Sequence, residues 1–187
     1  YTNYTNYTNY TNYTNYILKV LYIIFNIMTI KHFSLCGGGI VGLVMYGIVK
    51  RLNQLKVWEL KNIKSIYSCS AGSVIGLMII LDIPWEWLDD FWIKRPWNTI
   101  IDFTNIDYFK YLNDKGIFDE SLWINIIKPL LKCKSLNEDI TLIELYNYTN
   151  IEFNMYATEM NNVCKKILNH KTYPTMRVTY AIYLTTS

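Results

Sequence analysis

The opening of the chain has no hydrophobic pattern. Five Tyr-Thr-Asn triplets and a final Tyr16 carry no charge and form no apolar face at a helical or a strand period. Ile17 to Ile30, ILKVLYIIFNIMTI, is then apolar apart from Lys19, Asn26 and Thr29. Its 14 residues fall short of the roughly 20 that cross a bilayer, and it has neither a basic flank nor a small-residue cleavage site. The first methionine is Met28. Residues 1–27 are therefore expected to be repeat and apolar lead-in outside the fold, with a native start at Met28 and an incomplete domain over residues 28–187.

From Lys31 the pattern becomes ordered. It predicts a short strand from Lys31 to Leu35, a glycine turn, and an apolar helix from Ile40 to about Leu55. A second strand, Ile63 to Tyr67, leads through a serine-containing turn into a helix from Ala71 to Leu81. Such a β-α-β-α unit with short apolar strands implies a parallel sheet covered on both faces. The tryptophan-rich PWEWLDDFWIKRPW reads as a helix ending before Pro96, either packed in the core or offered to lipid. Asp119 is the expected N-cap of a helix reaching Lys132 with a kink at Pro129, and Thr141 with Glu144 suits a capping box. Ile151 to Glu159 alternates as a strand, and Thr175 to about Leu184 reads as a last helix.

Composition narrows the classes of function. The 187 residues suit one domain, 51% hydrophobic and 18% charged, and a scattered net charge of +3 offers no footprint for nucleic acid. Cys36, Cys69, Cys133 and Cys164 lack C-x-x-C spacing, and with only two histidines no zinc-ligand cluster assembles. Reduced thiols in a cytoplasmic protein are expected, in a host cytoplasm if the chain is viral, either free or membrane-associated.

The candidate chemistry lies in two turns. In CGGGIVG, Gly37, Gly38 and Gly39 allow positive φ and leave backbone N–H groups uncovered at a helix start, where an anion or a developing oxyanion can sit. Gly37, Gly39 and Gly42 also satisfy the dinucleotide spacing G-x-G-x-x-G, but the second strand ends in Tyr67-Ser68-Cys69 rather than in an acid for a ribose hydroxyl. In IYSCSAGS, Ser70 occupies the nucleophile position of an elbow, with Gly72 two residues later and Ser68 where the earlier glycine usually stands. Nucleophile and anion hole would then come from neighbouring strands.

This joint pattern, Phe33 to Gly42 followed by Ser68 to Ser73, resembles the patatin-like phospholipases. The resemblance continues more loosely through Lys115 to Asp119, Ala157 to Glu159 and the final helix, and is nearest to versions in large DNA viruses. It implies a three-layer α/β/α fold with a mainly parallel sheet, truncated at its C-terminus. It also implies a serine lipid acyl hydrolase acting on a phospholipid or acyl lipid in lipid catabolism, through a Ser-Asp dyad and without a metal or organic cofactor. Ser70 would be the nucleophile, with Gly37, Gly38 and Gly39 as oxyanion donors. Peripheral membrane contact follows from such a substrate.

Two departures bear on activity. Val41 stands where the family commonly has Lys or Arg, and no Asp in this chain is followed by Gly, as the family's catalytic Asp is. His170 lies in a polar, turn-like NHKTYP segment and reads as a solvated surface residue; His32 precedes the first strand's core. Asp89, Asp90, Asp102, Asp107, Asp114 and Asp119 read as solvated faces or helix caps. A catalytically incomplete fragment or lipid-binding remnant stands as the second hypothesis, and a dinucleotide-binding domain as the third.

Overall fold

The computed structural model describes Tyr16, residues 29–100 and residues 120–186. The repeat, most of the apolar lead-in, the start at Met28, Lys115 to Asp119 with its helix cap, and Asp102, Asp107 and Asp114 lie outside the described residues.

Strand β1 (His32–Leu35) pairs in parallel with β2 (Ser65–Ser68), and β2 pairs in parallel with β3 (Glu152–Glu159). Strand β4 (Cys164–Leu168) returns antiparallel along β3, giving the order β1-β2-β3-β4. The sheet is thus mostly parallel, within a three-layer α/β arrangement. Sequence periodicity did not mark β4, whose Lys165 and Lys166 interrupt the alternation. Lysines are what an edge strand needs to discourage further pairing.

A 3₁₀ turn (Gly39–Val41) leads into helix α1 (Gly42–Gln54), two residues later than the predicted start at Ile40. Helix α2 (Ala71–Ile80) buries every residue from Gly72 to Ile80, as expected of a helix apolar all round. Gly76 makes this possible: a Cβ there would come within 2.8 Å of the Phe153 ring on β3. Helix α3 (Trp85–Ile93) and the short α4 (Trp97–Ile100) carry the tryptophan-rich segment.

That segment joins helices together. Trp85 Nε1 donates to Asn53 Oδ1 (2.8 Å), and Trp97 Nε1 donates to the Trp92 carbonyl (2.8 Å). The Arg95 guanidinium sits 4.8 Å from the Phe91 ring centroid and donates to the Asn125 carbonyl of α5 (Glu120–Cys133) at 2.6 Å. Asp89 is not a merely solvated residue. It accepts from Tyr46 Oη (2.8 Å) and Lys50 Nζ (2.5 Å) of α1.

Helix α6 (Leu142–Thr149) starts at the predicted capping box, with Thr141 and Glu144 bonding reciprocally. Helix α7 (Val178–Thr186) begins three residues after the predicted Thr175, because Arg177 first forms a bridge with Thr141. Helix α7 lies against α5, β3 and α2, so the last helix closes over the one that follows Ser70.

Candidate active site

A parallel sheet delivers the ends of β1, β2 and β3 to one edge. The glycine turn follows β1, Ser70 follows β2, and the β3–β4 hairpin rises beside them.

Ser70 has φ 52° and ψ −128°. Among the described residues, the other positive-φ positions that are not glycine include Asn150, which at ψ 27° rests in the ordinary left-handed well. The Ser70 conformation is outside that well and costs on the order of 1–3 kcal/mol. The surrounding contacts impose it. A Cβ on Gly72 would stand 2.2 Å from the Leu35 carbonyl oxygen and 2.7 Å from that of Cys36, both backbone atoms, so α2 can start this close to β1 only with glycine there.

The glycine turn lies against Ser70. A Cβ on Gly37 would lie 3.1 Å from Ser70 Cβ and 3.8 Å from Ser70 Oγ. Gly39 takes φ 51°, and the backbone N–H groups of Gly37, Gly38, Gly39 and Ile40 donate to no acceptor among the described residues. Gly42, the third glycine of the dinucleotide spacing, has a packing role instead. A Cβ there would meet Ala71 Cβ at 2.9 Å, so it lets α1 and α2 start side by side.

Ser68 is 2% exposed, with its hydroxyl 3.0 Å from Ser73 Oγ. Thr185 Oγ1 of α7 lies 3.3 Å from the same Ser73 oxygen. The hydroxyl that replaces the usual elbow glycine is therefore partnered, and a chain of buried hydroxyls spans the elbow and ties it to α7. Sequence reasoning identified Ser68 but missed Ser73 and Thr185; two small hydroxyl residues in apolar helices, at positions that turn out buried, were the available signal.

No imidazole or carboxylate hydrogen-bonds Ser70 among the described residues. Topology accounts for both histidines. His32 begins β1 and its Nδ1 meets Ser65 Oγ at 2.7 Å, at the amino edge of the sheet. Strand β4 runs back from Glu159 to Met155, so the chain beyond it also heads for the amino edge, where Lys171 pairs with Glu152. His170 is there too. Contrary to the solvated reading it is half-buried, stacked on Tyr146 at 3.8 Å, and burial pushes its imidazole pKa down.

Glu159 ends β3 on the same side of the sheet as Ser70, but it is engaged elsewhere. It accepts from Cys164 Sγ (3.0 Å) and pairs with Lys166 (3.0 Å), and these bonds hold its pKa down at about 2. Among the described residues no cluster of three His, Cys, Asp or Glu could hold a metal ion, and no helix is long and apolar enough to cross a membrane.

A mostly parallel sheet with a strained serine between β2 and α2, faced by a glycine turn, makes this an α/β protein with its candidate chemistry at the carboxyl edge. The family profile described as patatin-like phospholipase matches residues 33–187, and the chain belongs to that family. It is 23% identical over 160 residues to an uncharacterized protein of Acanthamoeba polyphaga mimivirus, covering 84% of this chain and 52% of that relative. The crystal structure of the type III effector ExoU, a protein of Pseudomonas aeruginosa, superposes with a TM-score of 0.55 at 12% identity, covering 83% of this chain and 38% of the effector. VipD from Legionella pneumophila gives a TM-score of 0.54 at 12% identity, over 81% and 41% of the two chains. The chain thus spans about half the length of its curated relative and about two-fifths of these structures.

Proposed function

We propose that this chain carries the nucleophile and the oxyanion hole of a lipid acyl hydrolase. Ser70 Oγ attacks the carbonyl of a carboxylic ester, its proton passes to the base that the family supplies as a dyad Asp and from there to the departing alcohol oxygen, and the Gly37, Gly38 and Gly39 N–H groups receive the negative charge that develops on the carbonyl oxygen. The alcohol departs as the acyl-enzyme forms, and water then releases the fatty acid. The observation that carries this reading is the strained backbone of Ser70 set directly against Gly37, with uncommitted donors beside it. Strain of this kind persists only where surrounding structure fixes it. The substrate class, a phospholipid or other acyl lipid, follows from the family.

A serine hydroxyl needs a base within about 3 Å, and a positioned base contributes roughly 10²- to 10⁴-fold in rate. In the family that base is the Asp of a Ser-Asp dyad. A second reading, a lipid-binding relative without the dyad, is favoured by one specific observation: no carboxylate reaches Ser70 among the described residues. Turnover of a short-chain fatty ester separates the two. The hydrolase reading expects turnover that Ser70→Ala abolishes; turnover unchanged in Ser70→Ala, or none in the parent chain, contradicts it.

A further inference from the structure

Exposed apolar residues gather on both sides of Ser70. On the β1 side, Ile40 and Val41 of the glycine turn and Val44 in the first turn of α1 are 84%, 60% and 60% exposed. On the β3 side, Met160 and Val163 at the β3–β4 hairpin tip are 77% and 78% exposed. Since Ser68 pairs with Met155, Glu159 stands four residues further along β3, and the hairpin tip projects roughly 13 Å past the end of β2. Ser70 therefore sits between two apolar prominences on one rim.

Val163 has no local reason to be valine. It holds φ 47°, a conformation that a β-branched side chain resists, and it is too exposed to be repaid by packing. Charge is arranged consistently with the apolar rim. Residues 36–47, the glycine turn and the start of α1, contain no charged residue, and Arg51 and Lys56 lie at and just past the far end of α1, towards the amino edge. At the hairpin, Met160 to Val163 is uncharged, Glu159 is neutralised by Lys166, and Lys165 is exposed.

We infer that this rim is a docking surface for a lipid bilayer, with Ile40, Val41 and Val44 on one side of Ser70 and Met160 and Val163 on the other entering the headgroup boundary. A second copy of the chain laid on the same rim would cover Ser70, whereas a lipid surface brings the ester to it. The tryptophans of α3 are not the anchor, because Trp85 bonds to Asn53 of α1, Trp92 stacks on Trp97 and Trp87 stacks on Phe91. This inference rests on the reading of Ser70 as a lipid-directed nucleophile.

Flotation of the chain with mixed phosphatidylcholine and phosphatidylglycerol vesicles tests it. The parent chain and Ser70→Ala are expected to float alike. Val44→Asp and Met160→Asp should each lower the partition coefficient by about tenfold or more, since each removes an apolar contact and adds a repelled charge. Val163→Asn should lower partition while raising the melting temperature, because asparagine accepts the left-handed backbone; this separates lost docking from lost folding. A parent chain that stays unbound, or binding that these three substitutions leave unchanged, overturns the docking surface. So does a dimer in solution that Val44→Asp dissociates. Vesicle binding without ester turnover contradicts the hydrolase reading and leaves the docking surface standing.

Discussion

The two edges of the sheet are built differently. At the amino edge, polar groups are mostly tied down: His32 to Ser65, Lys171 to Glu152, and Asn169 to Asn154, Lys171 and Thr172. Among the described residues, Asn154 Nδ2 and His170 Nδ1 are left buried without partners there. At the carboxyl edge, a serine is strained, a run of backbone donors is uncommitted, and apolar side chains face outward. The first edge satisfies most of its groups and holds the strands in register. The second holds a strained residue beside exposed backbone donors that have no protein acceptor among the described residues, where a ligand can take them up.

The largest effect that would break this contrast is Gly72→Ala. A methyl group 2.2 Å from a carbonyl oxygen cannot be accommodated without separating α2 from β1, and a loss of about 4 kcal/mol or more is expected by denaturant unfolding. A variant as stable as the parent would mean that the elbow is looser than described. Next comes Ser73→Ala, which leaves the Ser68 hydroxyl buried without its partner and should cost about 1–3 kcal/mol. The double variant Ser68→Ala/Ser73→Ala should cost less than the sum of the two single changes.

Ser70→Gly sharpens the contrast in the opposite direction. Glycine accepts the backbone conformation that serine resists, so this variant should be more stable by about 1 kcal/mol while losing ester turnover. A loss of stability instead would mean that the serine is not strained.

The smallest expected effect is electrostatic. Hydrogen bonds from Cys164 and Lys166 lower the Glu159 pKa to about 2 from an ordinary 4.5. A carboxylate depressed in the folded state contributes stability that is complete above its unfolded pKa and is lost as pH falls towards 2. Glu159→Gln should therefore flatten the acid limb of a melting-temperature profile slightly in that window. An unchanged profile would remove Glu159 from the account.

Much of the carboxyl edge was legible in the sequence. Gly37, Gly39 and Gly72 are small residues at strand-to-helix junctions, where a sharp turn or a close backbone approach is expected from the local sequence. The capping box at Thr141 was equally local. Contacts between distant segments were not legible. Nothing near Ser73 announces Thr185, 112 residues away. The stacking of His170 on Tyr146 depends on β4, whose lysines hid it from a period-two reading. Asp89 was misread for the same reason, since Tyr46 and Lys50 reach it only once α1 and α3 pack together.

The central proposal, that Ser70 is the nucleophile and faces the glycine turn, is tested most directly by mapping a fluorophosphonate adduct on the intact chain by peptide mass spectrometry. The account predicts one adduct, formed by a bond from Ser70 Oγ to phosphorus with departure of fluoride, and its loss in Ser70→Ala. An adduct on another residue, labelling that survives Ser70→Ala, or no labelling would contradict it.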